Sequence, residues 1–91
     1  MKPAPGQWWR SHRGAIYLVR RLQAEGGFAE VVVACFHGSD RGRVFGVRFE
    51  AAEWAKIARK GVRMEGPPDV NHHGHDIRHL VAAELAQLET E

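Results

Sequence analysis

Gly14-Ala15-Ile16-Tyr17-Leu18-Val19-Arg20-Arg21-Leu22-Gln23 is the stretch on which the fold turns, because it supports two different architectures. Wound as a helix at about 100° per residue, Ala15, Ile16, Leu18, Val19 and Leu22 fall within an arc of roughly 160°. Tyr17, Arg20 and Arg21 lie opposite, with Ser11 as a cap and Gly26-Gly27 as a stop. As extended chain, the Ile-Tyr-Leu-Val core is strongly β-prone, and Glu25-Gly26-Gly27 turns directly into the next apolar run. We read it as a strand. Alternation then sets Tyr17 and Arg21 on one face and Arg20 on the other, with Ile16, Leu18 and Leu22. Arg20 should therefore sit near an edge or extend its head toward water.

Working outward, Phe28 to His37 is β-branched, aromatic and apolar on both alternating faces, which predicts a buried strand. Arg43 to Phe49 predicts another, with Phe45, Val47 and Phe49 on one face and Val44, Gly46 and Arg48 on the other. Gly38-Ser39-Asp40-Arg41-Gly42 between them is turn chemistry, so the two form a hairpin. Upstream, Trp8-Trp9-Arg10 followed by Ser11-His12-Arg13-Gly14 supplies one more short strand. Glu50 to Lys60 predicts a helix, since Trp54, Ile57 and Ala58 share a face and Gly61 ends it.

Residues 1–7 are a Pro- and Gly-rich lead-in, and 8–65 form the body. Gly66-Pro67-Pro68-Asp69 breaks regular structure, because paired prolines suit neither a helix interior nor a central strand. Residues 66–91 are thus a Pro-rich connection and a C-terminal helix, in which Ile77, Leu80, Val81, Leu85 and Leu88 recur with amphipathic period. The predicted fold class is α+β: a small antiparallel meander of three to four strands, then two helices.

Composition sets limits on function. Ninety-one residues, 44% hydrophobic and 26% charged, describe one globular domain and exclude a large two-domain enzyme. The longest apolar run, Val31 to Phe36, is far short of a membrane span of about 20 residues. The first residues lack the apolar core of a secretory signal, and a single cysteine, Cys35, forms no internal disulfide. Both features lead us to expect a cytoplasmic protein.

The charge is uneven. Residues 1–49 carry eight cations against three carboxylates, whereas 50–91 carry five against eight. Seven of the eight are arginines, whose planar cation suits bidentate contact with phosphate and stacking on bases. Binding a single strand needs cations for phosphates and rings for bases. The candidates are Arg10, Arg13, Arg20, Arg21, Arg41, Arg43 and Arg48, with Trp8, Trp9 and Tyr17 as the rings. The expectation is a continuous cationic strip in a small, non-enzymatic, regulatory and homodimeric nucleic-acid-binding module that favours single strands. A competing expectation is a protein-interaction module docking its C-terminal helix into a partner's groove.

His72, His73, His75 and His79 form a second constellation beside Asp69 and Asp76. His75 and His79 are one helical turn apart, and neutral imidazole binds zinc, so these four are the metal-ligand candidates. Catalytic patterns are lacking: Cys35 sits among valines, Glu50 and Glu53 suit a first helical turn, and the glycines form no phosphate-binding loop.

Gly46-Val47-Arg48-Phe49-Glu50-Ala51-Ala52-Glu53-Trp54-Ala55-Lys56-Ile57 resembles the strand-to-helix junction of the positive-cofactor-four type transcriptional coactivators, which bind single-stranded DNA. The shared features are the glycine, the alternating strand end, the tryptophan five residues after Phe49 and the aliphatic residue three later. The resemblance covers residues 15–60. It implies a dimer of curved four-stranded antiparallel sheets whose basic and aromatic side chains track a nucleic-acid backbone. Phe45 stands where that family tends to carry a basic residue, and Glu50-Ala51 replaces its usual Asn-Pro.

Overall fold

Every strand read from the sequence forms, and one more joins them. The structure, a computed structural model, describes residues 3–25, 28–36 and 44–90. In chain order the elements are β1 (Trp8–Arg10), β2 (Ile16–Glu25), β3 (Phe28–Phe36), β4 (Val44–Glu50), α1 (Ala51–Lys60), β5 (Val62–Met64) and α2 (Arg78–Thr90). The strands make one antiparallel sheet in the order β4-β3-β2-β1-β5, with a helix on each face. The fold is α+β.

Period-two patterning explains the two-sided core. On one face Trp8, Ile16, Leu18, Ala34 and Phe36 pack against Ile77 and Val81, joined by Leu80, Leu85 and Leu88 of α2. On the other, Trp9, Val19, Val31 and Val33 pack against Trp54, joined by Tyr17, Phe49, Ile57 and Ala58. Trp8 and Trp9 are neighbours in sequence, so alternation sends one indole into each layer. The apolar run of β3 is buried on both sides for the same reason. Trp54 is 2% exposed, and burying a large side chain of this kind contributes roughly 2–3 kcal/mol.

A β-bulge in β2 corrects the facing expected there. Val19 pairs with Val33, but the next pair is Arg21 with Val32, so Arg20 is the extra residue. Residues directly opposite share a face, and Val32 lies on the α2 side with Ala34 and Phe36. Arg21 therefore lies on the α2 side, away from Tyr17. Leu22, opposite Val31, moves to the α1 side and leaves Ile16 and Leu18.

The sheet has five strands rather than the expected three to four, because Val62–Met64 returns to pair with β1. Gly61 permits this return. A Cβ there would stand 2.5 Å from the carbonyl oxygen of Arg10, so only a hydrogen allows β5 to come alongside. The C-terminal helix turns its apolar stripe onto one face of the sheet, where Ile77 and Val81 join the core. Among the described residues no helix is long and apolar enough to cross a membrane.

Candidate nucleic-acid interface

The expected strip of arginines and rings does not form as one surface. Trp8 and Trp9 are 4% and 7% exposed, so neither offers a face on which a base could stack. Tyr17 is half-buried, its ring edge-on to Phe49 and Trp54 at centroid distances of 5.8 and 5.9 Å. Burial, with the Cys35 side chain a lesser influence, pushes the Tyr17 phenol above its ordinary range; burial raises the Cys35 thiol too. Cys35 is buried in the sheet beside the valines of β3.

The arginines divide between two sides of the sheet. Arg20, Arg21 and Arg48 lie on the α2 side, where Arg21 and Arg48 both stand opposite Val32. Arg20 is held by Glu84 of α2, donating from Nη2 to Oε1 at 2.7 Å and from Nε to Oε2 at 3.1 Å. Its Nη1 lies over Gly46, close to where a Cβ would stand. With the Gln23 amide oxygen turned toward it, Arg21 donates from Nε and Nη2 at 2.6 and 3.1 Å. Arg48 is exposed, and Arg10 is exposed at the end of β1. Arg41 and Arg43 lie outside the described residues.

Arg13 has different company. The β1–β2 turn, residues 11–15, approaches the C-terminal half of α1 and leaves a cleft of about 260 Å³. Ser11, His12, Arg13, Tyr17, Lys56, Ile57 and Lys60 line it. Helical geometry puts Lys56 and Lys60 on one flank, one turn apart, while Ile57 faces the core. The turn is fixed by the Ser11 hydroxyl, which accepts from the backbone N–H of Ala15 at 3.1 Å, and by Gly14 at φ 94°. A Cβ on Gly14 would come within 3.0 Å of His72, so the 71–75 loop braces the turn from behind.

On the other flank of α1 a cleft of about 500 Å³ has Trp9, Trp54, Ala55 and Ala58 as its apolar wall and Arg59 and Arg63 at its cationic end. Both clefts together gather Arg13, Lys56, Arg59, Lys60 and Arg63 around one end of α1, and among the described residues no carboxylate lines either. Four of these five cations escaped the sequence reading. The half-chain sums hid them, because residues 50–91 are acidic overall. The signal was local: Lys56-Ile57-Ala58-Arg59-Lys60-Gly61-Val62-Arg63 places four cations in eight residues without an acid.

Among the described residues no three His, Cys, Asp or Glu side chains converge. The rings of His72 and His73 are 4.1 Å apart on an exposed loop, and His79 is exposed on α2. The loop has a structural cause: buried Asn71 accepts at Oδ1 from the backbone N–H groups of His73 and His75, at 2.9 and 3.1 Å. Comparison with protein-family models, curated proteins and solved structures finds nothing that matches this chain.

Proposed function

We propose that the protein is a small, non-catalytic nucleic-acid-binding module that holds phosphates along the α1 face. The observation that carries this is the pair of clefts beside α1, which hold five cations between them and, among the described residues, no carboxylate in their lining. Converging cations raise a local positive potential, and a polyanion that docks there releases its condensed counterions. Arg13 offers a planar fork for one phosphate from the turn, while Lys56 and Lys60 act as point charges one turn apart on the helical wall of the cleft. A single strand suits the surface better than a duplex, because a flexible backbone can follow recesses on both flanks of a helix. Regulation of transcription is the role that the likeness to the coactivator junction adds.

Charge reversal tests the location. Lys56 and Lys60 are exposed, so changing them perturbs folding little. Fluorescence anisotropy with labelled single-stranded oligonucleotides should show Lys56→Glu/Lys60→Glu weakening binding by roughly tenfold or more. Arg48→Glu, on the opposite side of the sheet, should change it by less than about threefold. The reverse ranking would move the interface to the α2 side. Stronger binding of a duplex would overturn the strand preference.

A further inference from the structure

We infer that β4 is a self-pairing edge, and that a second copy of this chain adds to it antiparallel about a two-fold axis at Val47. The inference is independent of what the α1 face binds.

The two edges of the sheet differ. β5 is three residues long, carries Arg63, and is followed by Glu65 and then Gly66-Pro67-Pro68. Short length, charge and nearby proline are the features that blunt an edge. β4 lacks two of them: it has seven residues, no proline and an unbroken register with β3 from Glu30↔Glu50 to Phe36↔Val44, and its single interior charge is Arg48. Among the described residues no strand pairs with its outer side. Alternate residues of such an edge present N–H and C=O groups that a further strand can satisfy.

Its side chains are self-complementary. Rotation about Val47 sets Phe45 opposite the second copy's Phe49, Val47 opposite its own equivalent, and Gly46 opposite Arg48. Phe45, Val47 and Phe49 all lie on the α1 side, so the pairing brings together a continuous apolar row. Phe45 is 40% exposed in the single chain, which this row would cover. On the other face Arg48 meets a glycine and Glu50 meets Val44, so no like charges stand directly opposite. Opposed residues share a face, which puts both α1 helices on the same side of a ten-stranded sheet. Two cationic faces would then be presented together, with the Tyr17 strands about 24 Å apart across the ladder.

Cysteine cross-linking reads the register, and sedimentation reads the assembly. In a Cys35→Ala background, Val47→Cys should form a disulfide-linked dimer with oxidised glutathione. The two thiols give up two protons and two electrons, and the glutathione disulfide becomes two thiols. Opposed Cα atoms in a ladder are about 4.5–5.5 Å apart, within disulfide reach. Phe45→Cys should not link, because equivalent positions would be about 14 Å apart. The unmodified chain should sediment at twice 10.2 kDa, and Phe45→Glu should weaken that dimer by roughly tenfold or more. A monomer at about hundreds of micromolar would overturn the inference. So would linking at position 45 as fast as at 47, or no linking at 47.

Discussion

Arg20 and Glu84 show how one ion pair redirects a functional expectation. Sequence alternation correctly sends Arg20 toward the α2 side, where it faces an apolar helix and requires a partner. Glu84 supplies it, 64 positions along the chain and itself 7% exposed. Both guanidinium bonds are charge-assisted, and the low polarity around them makes a lone survivor costly. Glu84→Ala should lose about 2–4 kcal/mol of stability in urea unfolding. Replacing both groups by apolar residues of similar size should recover most of that loss. A loss under about 0.5 kcal/mol for Glu84→Ala would mean that the pair is only a surface contact. The clue was visible in the sequence, since Glu84 interrupts the Val81–Leu85–Leu88 stripe, but nothing local says which cation answers it. Long-range pairing is a property of the assembled layers.

At the scale of elements, alternation and turn chemistry carried most of the architecture. β2, β3, β4 and both helices lie where apolar period, glycine and proline place them, because each is long enough to show its period and to bury apolar side chains in one or both core layers. The failures have one kind of cause. β5 is three residues beside Gly61, too short to show a period, and the Arg20 bulge changes facing without altering composition. The start of α2 offers a test. Asp76 accepts from the backbone N–H of Arg78 at 3.0 Å and pairs with its guanidinium at 2.7 Å. Those bonds, with the neighbouring positive charge, hold the carboxyl at about 2, below the usual 3.8. A carboxyl depressed in the folded state contributes its stability above the unfolded value and loses it as pH falls through the folded one. Between pH 4 and 2 the native chain should therefore lose more thermal stability than Asp76→Asn. Parallel melting curves for the two would show that Asp76 contributes nothing to this end of the helix.

For the molecule as a whole, the charge argument predicted one cationic strip over the N-terminal half, whereas the fold divides those arginines between two sides of the sheet. Summing over halves rewarded Arg20 and Arg21, which the fold ties to Glu84 and Gln23. It concealed Lys56, Arg59, Lys60 and Arg63, which the fold gathers with Arg13 around one helix. Trp8 and Trp9 were offered for stacking, yet a five-stranded sheet with a helix on each side has two cores to fill and takes one indole for each. Salt dependence of single-strand binding is the measurement that bears most directly on the α1 face. Each cation that neutralises a phosphate of a single strand contributes about −0.7 to the slope of log K against log salt. Engagement of the three cations of the smaller cleft, up to all five around α1, predicts a slope between about −2 and −3.5. A slope near zero, or no binding at micromolar protein, would contradict it.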